Sequence, residues 1–146
     1  MIRGHHDTFC SALAITANAA STNQLDLGAI RDMGVGARPL YVVAQVTTLM
    51  GDSGSNSNCT VLFRTDSDVA MGSPTNTQTI GVFATNAAVG TRLVQMIQPG
   101  NANERYCDLY FSMGGGDLNA GAVTAWITDS PQLARYGANN YTISTT

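Results

Sequence analysis

The chain has 146 residues, of which 12% are charged; it holds no lysine, seven arginines and a formal net charge of −3. This length fits one domain whose core needs neither a disulfide nor a metal. A charge content about half the usual ~25%, with an acidic balance, excludes the basic face of a general nucleic-acid binder.

Residues 1–24 read as an N-terminal arm. His5, His6 and Asp7 are polar, and Thr8 to Ala20 is more compatible with an extended stretch than with a helix, because Ile15-Thr16 and Asn18 offset its alanines. Ser21-Thr22-Asn23 is a turn cluster. Leu25-Asp26-Leu27-Gly28 alternates as a short strand, and Arg31 to Arg38, with Gly34 and Gly36, is a loop. Leu40 to Leu49 is the clearest long strand. Both of its faces are largely apolar, which predicts an interior strand covered on both sides.

Gly51 to Asn58 is polar, and Cys59 to Arg64 reads as the returning arm of a hairpin over 40–64. Thr65 to Thr77 is loop. Thr79 to Ala84 and Thr91 to Gln98 are strands, the second stopped by Pro99-Gly100.

The stretch 98–129 reads as a second hairpin in the middle of a sheet. Cys107, Leu109, Phe111 and Met113 share one face, while Tyr106, Asp108, Tyr110 and Ser112 share the other. Gly114, Gly115 and Gly116 free the backbone to turn. In the second arm Val123, Ala125 and Ile127 oppose Thr124, Trp126 and Thr128. Residues 130–146 form a polar C-terminal tail carrying Arg135, Tyr136 and Tyr141. The sum is an all-β chain of about eight short antiparallel strands, a sandwich, jelly roll or barrel occupying residues 25–129, with arms at both ends.

Catalytic and metal chemistry find little support. Both histidines sit in the arm, and no Gly-x-Ser-x-Gly is present. Glu104 is the only glutamate, which removes a paired-Glu hydrolase. Adjacent His5 and His6 do not face one ion and lack a third ligand. Asp66 and Asp68, and Asp52 with Asn56 and Asn58, lack the remaining ligands of a calcium loop and read as turns whose carboxylates bind nearby N–H groups. Cys10, Cys59 and Cys107 are an odd number with no Cys-x-x-Cys pair, so they read as buried free thiols of a protein assembled in a reducing cytosol. No stretch is long and apolar enough to be a membrane helix, and the first residues show no signal-peptide core. No cofactor is expected. Trp126, on a face shared with threonines, keeps a carbohydrate-stacking alternative open.

Several short stretches, in order, carry a family resemblance. They are Ala20 to Gly28, Arg31-Asp32-Met33-Gly34, Pro39 to Val43, Gln45-Val46-Thr47, Pro99-Gly100, Arg105-Tyr106, Leu109-Tyr110-Phe111 and Gly121 to Ala125. This succession, over about residues 8–129, resembles the capsid cement proteins of tailed phages, the family typified by the Bordetella phage cement protein. The resemblance implies a jelly-roll-like β-sandwich without enzymatic activity. It implies a place on the outer surface of an icosahedral head after synthesis in the bacterial cytoplasm. It also implies homodimers that tie neighbouring major capsid protein subunits together, with no nucleic-acid or membrane partner. No binding motif is carried over from the family. Arg135, Tyr136 and Tyr141 are the expected partner contacts from the tail's own chemistry, and Trp126 is the residue of the alternative, a receptor- or sugar-binding module.

Overall fold

The structure, a computed structural model, describes residues 8–30, 39–54, 56–100 and 103–129. Nine strands are found among them: β1 Thr8–Ala14, β2 Ala19–Ala20, β3 Leu25–Asp26, β4 Tyr41–Gly51, β5 Asn58–Asp66, β6 Asn76–Phe83, β7 Arg92–Met96, β8 Tyr106–Gly114 and β9 Ala120–Thr128. Sheet A has the order β1-β9-β4-β7, and sheet B the order β2-β8-β5-β6, with β3 also paired to β8. Every pairing is antiparallel. The chain changes sheet at most connections, and the all-β sandwich expected from the alternation is jelly-roll-like in its wiring.

The two expected hairpins are corrected by this wiring. Residues 40–64 and 98–129 each place one arm in sheet A and the other in sheet B. The physical reason lies in the inward faces. Val42, Ala44 and Val46 of β4 must meet Cys59, Val61 and Phe63 of β5 across the core, and Cys107, Leu109 and Phe111 of β8 must meet Val123 and Ala125 of β9. An arch that carries the chain over the core lets both arms bury their apolar faces against each other. A hairpin would set the arms side by side in one sheet. Each arm is nevertheless interior to its own sheet, since β8 lies between β2/β3 and β5, and β9 between β1 and β4.

Residues 8–24 are also corrected: from Thr8 onward the chain is built into the sandwich rather than forming an arm. β1 pairs with β9, and Phe9, Cys10 and Ile15 are fully buried in the core. The Phe9 ring, from sheet A, meets the edge of Phe63, from sheet B, at 6.3 Å and 70°. Ala12 takes a positive φ of 48° at a bulge in β1, and its N–H donates to Thr124 Oγ1 at 2.9 Å. The bulge interrupts what would otherwise be an open sheet edge.

Side chains stitch the two sheets together along both flanks. On one, Gln78 of β6 donates to the Met96 carbonyl of β7 at 2.7 Å and accepts from the Gln98 N–H at 3.0 Å. On the other, the Asn23 N–H donates to the Phe9 carbonyl at 2.8 Å, and Asn23 Nδ2 donates to the Thr8 carbonyl at 3.0 Å. These bonds occupy edge carbonyls that would otherwise recruit another strand.

The two poles of the sandwich differ. At one, the β4–β5, β6–β7 and β8–β9 connections pack on each other. The Asn119 N–H reaches the Gly51 carbonyl at 2.7 Å, the Asn86 N–H reaches that of Met50 at 2.7 Å, and Thr85 donates to the Ser57 carbonyl. Gly115, at φ +81°, lies so close to the Asn56 carbonyl that a Cβ there would overlap it. At the other pole Thr8 pairs with Trp126, Tyr41 with both Thr128 and Met96, and Tyr106 with both Asp26 and Asp66. The chain therefore enters its first described strand and leaves its last at the same pole.

The packed pole predicts an acid response. Asp52 accepts from the N–H groups of Gly54 at 3.0 Å, Asn56 at 3.1 Å and Ser57 at 3.0 Å. These bonds, the Gly54 N–H foremost, hold its carboxyl down at about 2. A carboxyl lowered on folding stabilises the fold above its unfolded value near 3.8 and ceases to do so as the pH falls through about 2. Asp52→Asn is expected to have a lower urea midpoint than the native chain at about pH 5, with the gap closing near pH 2. A gap that does not change with pH would show that the charge of this cap is immaterial.

Candidate partner-binding surface

β8 displays its polar side chains outward from sheet B because its alternate residues, Cys107, Leu109 and Phe111, are fully buried inward. Two matched constellations result on this outer face. Arg64, on β5 directly opposite Asp108, makes a bidentate pair with it, Nε to Oδ1 at 2.9 Å and Nη2 to Oδ2 at 2.6 Å. The guanidinium also lies 4.4 Å from the Tyr110 ring centroid. Near the terminal pole Arg105 repeats the arrangement, pairing with Asp26 at 2.8 and 3.0 Å and standing 4.9 Å from the Tyr106 ring. Planar guanidinium, fork-matched carboxylate and ring face fix one another's rotamers.

The pairs differ in solvation. The Arg64 and Asp108 side chains are 14% and 6% exposed, whereas those of Arg105 and Asp26 are 42% and 47% exposed. The inner pair is an ordered, desolvated unit, while solvent screens the outer one. The Arg105 guanidinium first, and then the Gly28 N–H, hold the Asp26 carboxyl down at about 2. Leu62 of β5 lies opposite Tyr110, and Thr60 opposite Ser112 and Val82, so the face continues as a half-exposed plane of small polar and apolar groups.

The outer face of sheet A is different. Val43 and Trp126, opposite each other in register, are 0% and 1% exposed and form a small apolar cluster on the far side of the sheet from the main core. Gln45 and Thr124 beside them are buried as well, and Arg92 stands 5.8 Å from the Trp126 ring while its Nε donates to Gln45 Oε1. Trp126 is a stacking residue only on the alternative that its ring is exposed, and it is 1% exposed. Its ring faces outward from the sheet, as its alternation with Ala125 and Ile127 requires, but it is covered and offers no platform to a sugar.

The remaining candidates follow their plain chemistry. The Asp68 N–H donates to Asp66 Oδ1 at 3.2 Å and the Ala70 N–H to Asp68 Oδ1 at 2.9 Å, so these carboxylates cap their own turn. The three thiols are free and buried. Desolvation pushes Cys10, Cys59 and Cys107 up to about 12, which leaves them almost wholly protonated at neutral pH. No group of three metal-ligating side chains occurs among the described residues. His5, His6, Asp7, Arg135, Tyr136 and Tyr141 lie outside them.

Sequence reading identified the β8 half of this face and missed the β5 half. The signal for Tyr106, Asp108, Tyr110 and Ser112 was local alternation. Arg64 becomes their partner only through the β5–β8 register, which alternation within either strand does not encode.

The family model of Bbp16, the Bordetella phage cement protein family, matches residues 9–127. The chain belongs to the Bbp16 family. The Bbp16 match runs from β1 to β9, so the family unit is the whole sandwich, including the first strand that composition had assigned to an arm. Bbp16 is a family of structural phage proteins of the capsid. No curated protein matches the chain. No helix among the described residues is long and apolar enough to cross a membrane.

Proposed function

We propose that this chain is a cement protein of a tailed-phage head. It binds the outer surface of the icosahedral shell as a homodimer, bridges neighbouring major capsid protein subunits, and stabilises the shell against the pressure of packaged DNA. The Bbp16-family match over residues 9–127 is the observation that carries this reading. The physical logic is added contact. One modest interface must exceed the entropy cost of association, and a second site on the same dimer acts at a raised effective concentration.

The segments beyond the sandwich, residues 1–7 and 130–146, are the partner-contacting parts in this reading. Arg135, Tyr136 and Tyr141 anchor the tail, since arginine and tyrosine carry a large share of binding energy where they are desolvated. Thr8 and Thr128, the strand residues nearest these segments in sequence, lie at the same pole.

Cryo-electron microscopy of purified virions tests the proposal. Density for the sandwich on the outside of the shell, at lattice-fixed positions between capsomers, is expected. Deleting residues 132–146 is expected to cut head occupancy at least tenfold while the purified variant melts as the native chain does. Virions that lack the chain, or carry it only at the tail, would overturn the cement reading. Full occupancy after the deletion would overturn the role of Arg135, Tyr136 and Tyr141.

A further inference from the structure

We propose that the outer face of sheet B, centred on Leu62 and Arg64 of β5 and on Tyr106, Asp108 and Tyr110 of β8, is where a second copy of this chain docks face to face. This inference rests on the dimeric cement reading and supplies the surface that reading lacks.

The other broad surfaces are engaged in part, with Val94 and Met96 of β7 left exposed at the margin of sheet A's outer face. The centre of sheet A's outer face is closed within one chain, with Val43, Gln45, Thr124 and Trp126 all buried. Both flanks carry side-chain stitches between the sheets, Gln78 on one and Asn23 on the other, and the free edge of β1 is broken by the Ala12 bulge. Joining two copies through their strand edges would require giving up those bonds. The outer face of sheet B needs no such rearrangement.

Its chemistry suits a like partner. Arg64 is neutralised by Asp108 and Arg105 by Asp26, so these two pairs bring no net charge to the approach of an identical face. A two-fold contact places the same patch on both subunits and needs this self-complementarity. The tyrosine rings are held by guanidinium groups before contact, so ordering them on association costs little entropy. Leu62, half-exposed, and Val82, exposed, supply the apolar share.

The area is adequate. Four strand positions spaced ~4.8 Å and nine residues long span roughly 19 by 30 Å, about 550 Å² of plane per copy. Two copies bury on the order of 1,100 Å², near the lower bound of a specific interface.

The chain ends support the same geometry. Residues 1–7 and 130–146 adjoin strands of sheet A. With sheets about 10 Å apart, a dimer through sheet B sets its two A sheets roughly 30 Å from each other on opposite flanks. Seventeen residues reach at most about 60 Å. Each subunit then presents its ends to a different neighbour, which is the arrangement bivalent bridging requires.

Sedimentation of the full chain over a dilution series tests this. The native chain is expected to dimerise, Leu62→Glu to weaken the dimer at least a hundredfold, and Val94→Glu on sheet A to leave it unchanged. Hydroxyl-radical footprinting of the native chain gives a reading independent of any variant: Tyr106 and Tyr110 are expected to lose reactivity as the dimer forms, and Tyr41 to keep its own. A native chain that stays monomeric, a dimer indifferent to Leu62→Glu, or tyrosines equally reactive in both states would overturn the proposal. Purified heads added to the same samples separate the two claims. Decoration of heads by a chain that dimerises through another face overturns the docking face and leaves the cement reading standing, whereas decoration by a monomer overturns both the docking face and the homodimer of that reading. Dimers formed through this face that never bind heads overturn the cement reading instead.

Discussion

Phe63→Ala is expected to lower the unfolding free energy by about 3–5 kcal/mol, the usual cost of removing a buried ring and leaving its cavity. Phe63 is fully buried in mid-β5 and meets Phe9 edge-on across the space between the sheets. The substitution thus removes a contact that joins sheet B to sheet A as well as apolar volume. Against a typical total of about 5–15 kcal/mol, such a loss is a large part of the fold's stability. Its chain neighbour Leu62 points the other way and is half-exposed, so Leu62→Ala in the dissociated chain should cost less than about 1 kcal/mol. Urea titration of dilute protein, followed by Trp126 fluorescence, reads both. Equal losses at 62 and 63 would mean that the inward and outward assignment of β5 is wrong.

The second large effect belongs to the Arg64–Asp108 pair. Arg64→Ala leaves the Asp108 carboxylate, whose side chain is 6% exposed, without its bidentate partner. Breaking a buried pair from one side costs about 3–5 kcal/mol, because the remaining charge stays desolvated. Replacing both residues together, Arg64→Met with Asp108→Leu, removes the uncompensated charge and is expected to recover most of that loss. A double variant as unstable as the sum of the two single ones would show that the pair is not coupled.

What the sequence made legible was orientation within each strand. Alternation from Cys107 to Met113 and from Val123 to Thr128 assigned inward and outward faces that membership of the main core bears out: Cys107, Leu109, Phe111, Val123 and Ala125 belong to it, Met113 and Ile127 pack against it, and Trp126 lies outside it. The doubly apolar stretch after Leu40 was legible for the same reason: Val42 to Val46 are all buried, two of them outward. Partnership between strands was not legible. A polar, glycine-rich connection is compatible with a tight hairpin and with an arch over the core, and only the packing of both inward faces selects the arch. Residues 8–24 were legible as an extended stretch but not as part of the sandwich. Their small side chains carry little strand propensity, and the positive φ at Ala12 breaks the alternation where it would have been most informative. The outer face of sheet B was half legible for a related reason, since Asp108 advertises itself within β8 and Arg64 must be found through long-range pairing.

The three buried cysteines bear on what happens when such a protein leaves the cell that made it. At about 12 in place of 9.0, each thiol has roughly a thousandfold smaller thiolate fraction at neutral pH, and thiolate is the form that attacks disulfides and oxidants. The folded sandwich therefore meets oxidants with its sulfur chemistry silent. That protection lasts only while the fold does. On unfolding, the three thiols return to ordinary acidity and can cross-link in mismatched pairs, so opening the core in air turns a reversible step into a one-way loss.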